Sequence, residues 1–122
     1  MQVVKGFKSL LPDSCAVLRD GIEQTLSAEN LVVGDLIFIR NGCKVPADAR
    51  IIYSSELKLE TSSITGEAEP IEFSDKPVPD NVSVFESRNV AFNGSFCVDG
   101  DAIALVIRTG DNTVEYKFNI IN

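Results

Sequence analysis

Four Asn-Gly or Asp-Gly pairs, Asp20-Gly21, Asn41-Gly42, Asn93-Gly94 and Asp99-Gly100, cut this chain into short apolar runs. Such pairs favour tight turns with positive φ, so a fold built on long helices is excluded wherever they recur. Residues 15–19 and 22–26 flank Asp20-Gly21 and read as a hairpin. Residues 27–30 suit a brief helical turn before a strand at 36–39. Pro46 keeps its neighbourhood out of a central strand, and a strand resumes at 50–53. A further strand over 57–61 alternates Leu57 and Leu59 with Lys58 and Glu60. Pro70, Pro77 and Pro79 mark 70–81 as a surface loop. Strands at 90–92 and 96–98 bracket Asn93-Gly94, and Asp99-Gly100 is expected to turn the chain into a last strand at 101–108.

The expected fold is therefore mainly β, a distorted jelly-roll or double-sheet domain. A short N-terminal helix precedes it, from the helical spacing of Val3, Val4, Phe7, Leu10 and Leu11. Val33, Leu36, Phe38, Ile51, Phe92, Leu105 and Ile107 are the expected core. Residues 114–121 satisfy both periods: Val114, Tyr116, Phe118 and Ile120 alternate, while Val114, Phe118 and Ile121 share a helical face.

At 122 residues the chain reads as one domain, 1–122, large enough to bury a core unaided. Its net charge is −7 and its 11 Lys and Arg are scattered, which argues against nucleic acid and against direct binding to an anionic membrane surface. Cys15, Cys43 and Cys97 form no CxxC pair and read as reduced, mostly buried thiols. The longest apolar run, 102–107, is far short of the roughly 20 residues a membrane helix requires.

The chain has no histidine, which removes Ser-His-Asp and Cys-His nucleophile systems and His-ligated metals. Neither GxxxxGK[ST] nor GxGxxG occurs, so no nucleotide cradle or other cofactor site is expected. What remains is residues 61–70, TSSITGEAEP, which place four hydroxyls, one glycine and two glutamates at the end of a strand. A carboxylate after Gly66 could orient water or accept its proton, and a solvated polar turn accounts for the same residues. Asp48 reads as a structural residue bonding backbone near Pro46, and Arg50 and Arg88 as surface ion-pair residues. Asp99-Gly100 and Gly110-Asp111 read as turn chemistry.

An ordered series of segments resembles the actuator domain of P-type ATPases. It comprises Val33-Gly34-Asp35, the run 45–52 (VPADARII), the run 62–67 (SSITGE), Glu69-Pro70, 87–92 (SRNVAF), 97–100 (CVDG) and 109–114 (TGDNTV). The 88–92 and 97–100 segments look nearest the sodium/potassium and proton/potassium pump branch. The chain departs from the pattern at Ala68, where the family often has serine. It departs again at Glu60-Thr61, where that branch has Asp-Asn, and over 115–122.

The resemblance implies a role in a larger pump. Glu67, Thr65 and Gly66 would form the catalytic TGE loop, with Glu67 orienting water toward an aspartyl-phosphate on a separate phosphorylation domain. Gly66 would give clearance and Thr65 would fix the loop. ATP and magnesium would be bound by other domains. The implied partners are the phosphorylation and nucleotide-binding domains of the same chain, transmembrane helices at both ends of the parent, and an accessory subunit. The implied location is the cytoplasmic face of the plasma membrane, and the 122 residues alone would not hydrolyse ATP. A non-catalytic β-sandwich that recruits a partner through its acidic surface is the rival reading.

Overall fold

The computed structural model describes residues 14–82 and 86–121. The helix expected over residues 3–11 lies outside them. Among the described residues seven strands form one antiparallel sheet: β1 Ser14–Arg19, β2 Ile22–Ser27, β3 Leu36–Arg40, β4 Asp48–Glu60, β5 Ile71–Glu72, β6 Val90–Ala91 and β7 Phe96–Arg108. Their order is β2-β1-β3-β7-β4-β5, with β6 also pairing β4. Helices α1, Ser62–Thr65, and α2, Val114–Ile121, accompany them. The mainly β class is borne out, and short 3-10 turns occupy Ala28–Asn30 and Gly110–Asn112.

The hairpin pair works as expected: Asp20 and Gly21 both take positive φ, 54° and 75°, and register Arg19 against Ile22. Asp99-Gly100 does something else. It does not reverse the chain but sits inside β7, opposite a break in register between Ser55 and Lys58 of β4. A Cβ on Gly100 would lie 2.2 Å from the Glu56 carbonyl oxygen and 2.3 Å from that of Ser55. The glycine therefore allows two long strands to bend together in a bulge. The segments expected as separate strands, 50–53 and 57–61, merge into β4 for the same reason. So do 96–98 and 101–108 into β7.

The core is a cross-strand row on one face. Val17 registers with Ile37, Ile37 with Ala104, Ala104 with Ile51, and Ala49 with Val106. All are sealed from solvent, as are Ile39, Leu57 and Leu59. Each buried Ile or Leu contributes about 1.5–3 kcal/mol relative to exposure. Ile51 and Phe92 are buried as expected, but Val33 is 64 % and Leu105 37 % exposed. Leu36, Phe38 and Ile107 are only half-buried. The error is one of parity: β3 (LIFIR) and residues 102–107 (AIALVI) are apolar on both faces, and a one-residue shift moves every side chain across the sheet.

The expected loop over 70–81 is corrected in its first part. Ile71 pairs with Leu59, Glu72 with Lys58, and Phe73 is 2 % exposed. Pro70 immediately precedes this two-residue edge strand, where no ladder donor is required. The undecided C-terminal segment is helix α2. Its first turn is satisfied by Thr113, whose hydroxyl accepts the Tyr116 N–H at 3.3 Å, and by Asp48, which accepts the Val114 N–H at 2.9 Å.

At the far end of the sheet Arg19 donates twice to the Asp35 carboxylate, at 3.0 and 2.7 Å, and Asp35 also accepts the Val32 N–H. The Arg19 hydrogen bond holds the Asp35 carboxyl below its ordinary pKa, against the opposing effect of burial. A depressed folded-state pKa means that this stability is complete above the unfolded value near 3.9 and is lost as pH falls below it. Acid titration of the 122-residue chain should show stability declining below about pH 4. In Arg19→Gln that part of the decline should be visibly shallower; identical slopes in the two proteins would contradict the assignment.

Candidate functional site

The TGE segment is assembled at the end of β4. Thr61, fully buried, follows the last strand residue, and its carbonyl accepts N–H bonds from Ile64 and Thr65, both 2.9 Å. This winds the single turn α1, and Ile64, 4 % exposed, pins it to the body of the domain. Gly66 ends the turn in the left-handed region (φ 78°, ψ −3°), with its N–H on the Ser62 carbonyl at 3.1 Å. The Thr65 hydroxyl lies 2.8 Å from the Thr61 hydroxyl and 3.1 Å from the Thr61 carbonyl. It also accepts the Glu67 N–H at 3.2 Å. The loop therefore brings Thr65, Gly66 and Glu67 together, with Glu67 exposed and its backbone tethered.

Gly66 is required for its backbone. No atom lies within 4 Å of a Cβ built there, so among the described residues nothing presses on it. Alanine in the left-handed region costs about 1–2 kcal/mol, whereas asparagine tolerates it. Urea unfolding should accordingly place Gly66→Ala about 1 kcal/mol below wild type, and Gly66→Asn closer to wild type. Equal losses for the two would locate the cost elsewhere.

Ser62, Ser63, Ala68 and Glu69 are exposed beside Glu67. An open cleft of about 190 Å³ is lined by Phe38, Arg40, Tyr53, Asp101, Ala102 and Ile103. A second, of about 430 Å³, lies between Ala28, Lys44, Pro46, Asn93 and Thr109 among others. Glu67 lines neither. Among the described residues no group of three His, Cys, Asp or Glu side chains is placed to hold a metal, and no helix is long and apolar enough to cross a membrane.

The other residues singled out from sequence are structural here. Asp48 is fully buried and accepts from Asn93 N–H (2.9 Å), Val114 N–H (2.9 Å) and Arg108 Nε (2.8 Å). These partners lie far along the chain rather than beside Pro46. Arg50 donates to the carbonyls of Ile51 and Asp75 instead of joining an ion pair among the described residues. The Arg88 guanidinium stacks 5.7 Å over Phe73. Cys97 is buried, Cys15 half-buried with its thiol pushed up to about 11 by burial, and Cys43 exposed, against the expectation of mostly buried thiols. Sequence reasoning assigned Thr61 and Thr113 no hydrogen-bonding role; the one available signal for Thr61 was its i,i+4 spacing from Thr65 in a hydroxyl-rich turn.

Fold and loop together define a β-domain that displays the Glu67 carboxylate on an exposed loop tip, away from both clefts formed by the described residues. The family model of the P-type ATPase actuator domain matches residues 9–118, and the chain belongs to that family. It is similar to potassium-transporting ATPase alpha chain 1 of Xenopus laevis, 44 % identical over 112 residues, 92 % of this chain and 11 % of that protein. It is also similar to sodium/potassium-transporting ATPase subunit alpha-1 of Catostomus commersonii, 42 % identical over 113 residues, 93 % of this chain and 11 % of that one. The chain thus spans about a tenth of the length of these relatives.

Among solved structures, a zinc-transporting PIB-type ATPase, captured in two states, shares the fold. In one state the TM-score is 0.67 over 97 % of this chain and 18 % of that chain. In the other it is 0.69 over 96 % and 18 %. Both are 21 % identical, a likeness of fold. Membership in the family decides between the two readings of the sequence in favour of an actuator domain.

Proposed function

We propose that Glu67 positions the water that hydrolyses an aspartyl-phosphate on the phosphorylation domain of a parent cation pump, and that this actuator domain couples the step to transport. The observation that carries the reading is the Thr65-Gly66-Glu67 turn, which closes the helical turn α1 just beyond a long strand and holds an exposed carboxylate on a tethered backbone. In this reading water attacks phosphorus in line, Glu67 takes or orients its proton, and the aspartate carboxylate leaves. Such chemistry is governed by placement and electrostatics, so one well-held carboxylate suffices from this side.

ATP and magnesium belong to other domains in this scheme, with the loop contributing the Glu67 carboxylate and neighbouring hydroxyls toward the phosphate. Magnesium supplies neutralisation of phosphate charge when bound there. The partners are then the phosphorylation and nucleotide-binding domains and the membrane helices of the same parent chain, with an accessory subunit a further partner by analogy with the pump branch. The site of action is the cytoplasmic face of the plasma membrane. Phosphoenzyme decay in the full-length parent, wild type against Glu67→Ala, tests the reading, and equal decay rates would overturn it.

A further inference from the structure

The hydroxyl of Thr61 is sealed from solvent, and among the described residues its hydrogen-bond contact is the Thr65 hydroxyl, 2.8 Å away. One assignment of protons gives each hydroxyl proton an acceptor. Thr61 Oγ1–H donates to Thr65 Oγ1; Thr65 Oγ1–H donates back to the Thr61 carbonyl, 3.1 Å; and Thr65 Oγ1 accepts the Glu67 N–H on its second lone pair, 3.2 Å. The reverse assignment, with Thr65 donating to Thr61 Oγ1, would leave the buried Thr61 proton with no acceptor among the described residues, a costly arrangement. We infer that Thr61 is a positioning residue for the TGE loop, fixing the Thr65 hydroxyl in the orientation that tethers the backbone of Glu67.

Thr61 touches no reacting atom in this scheme. It acts through Thr65. The two threonines form a short relay from the buried end of β4 to the exposed loop tip, without a charged group in it. The inference rests on the reading of Glu67 as the water-positioning carboxylate, and the test separates the two.

In the full-length parent, phosphoenzyme formed from ATP is chased in wild type, Thr61→Val, Thr61→Ser, Thr65→Val, the Thr61→Val/Thr65→Val pair and Glu67→Ala. Valine keeps the volume of threonine and removes the hydroxyl; Thr61→Ala, which adds no volume, replaces it if valine prevents phosphoenzyme formation. The expected result is decay about 3- to 10-fold slower in Thr61→Val, the effect of one lost hydrogen bond on placement. Thr61→Ser should restore decay to within about 2-fold of wild type, and the double variant should be no slower than Thr65→Val alone, since both act through one contact. Wild-type decay in Thr61→Val beside slow decay in Glu67→Ala would overturn this inference and leave the function of Glu67 standing. Thr61→Ser as slow as Thr61→Val would also overturn it, assigning Thr61 to methyl packing. Unchanged decay in Glu67→Ala would overturn the functional reading itself.

Discussion

Asp48→Ala is expected to destabilise the 122-residue chain by about 3–5 kcal/mol, a loss large enough to threaten folding. The carboxylate is fully buried, and its two oxygens serve three donors from three separate parts of the chain. Oδ1 takes the Asn93 N–H in the turn between β6 and β7; Oδ2 takes Arg108 Nε at the end of β7 and the first N–H of α2. Removing it strands two backbone donors and leaves a guanidinium with its side chain only 34 % exposed and no counter-charge. Asp48→Asn keeps the volume and one acceptor oxygen but turns an amide NH2 toward donors, so roughly half the loss is expected. Urea unfolding, with a check that the m-value is unchanged, measures both. A loss under about 1 kcal/mol in Asp48→Ala would mean that water or a shifted backbone replaces the carboxylate at little cost.

Glu67→Ala is expected to slow phosphoenzyme decay in the full-length parent by about 100-fold or more, the range for removing a positioned general base. A 100-fold change is about 2.7 kcal/mol of barrier. Phosphoenzyme formation from ATP should be near normal, because the loop enters the scheme only at hydrolysis. Glu67→Gln separates the two contributions of the carboxylate: it retains an oxygen that can orient water but cannot take a proton near neutral pH. Decay as slow as in alanine would assign the effect to proton acceptance, and an intermediate rate would assign part of it to orientation. The exposed position of Glu67 predicts that neither substitution alters the stability of the isolated chain by more than about 0.5 kcal/mol. A decay defect accompanied by a large stability loss would point to a damaged loop instead.

The sequence made the punctuation of this fold readable because turns are local. Asp20-Gly21 needs nothing beyond its neighbours to form a hairpin, and it forms one. Asp99-Gly100 has the same chemistry but lies opposite Ser55 and Glu56, and only that long-range pairing turns it into a bulge. The choice of buried face was hidden for a related reason. Leu36 to Ile39 are all apolar, so periodicity could not tell which pair would meet the small Ala102 and Ala104 across the sheet. Helix α2 was ambiguous by pattern because its start is secured by Asp48, 66 residues away. The TGE loop was conspicuous as a polar cluster, but its local residues alone did not distinguish a reactive carboxylate from a solvated one. The family resemblance is what motivates proposing the reactive one, while the tether through Thr65 became visible only with the side chains in place.

Strand β4 carries Asp48 at one end and runs directly into Thr61 and α1 at the other. It is bonded to β7 along one edge and to β5 and β6 along the other, and its bend at Ser55–Glu56 is clamped by Gly100. Its shape is that of a cranked lever, paired with neighbouring strands on both sides of the crank. In the proposed scheme a push on the loop tip would pass along β4 to Asp48 and from there to the first residue of α2, whose N–H that carboxylate accepts. A softer strand would let the loop yield to whatever surface it met, and the push would be spent inside the domain.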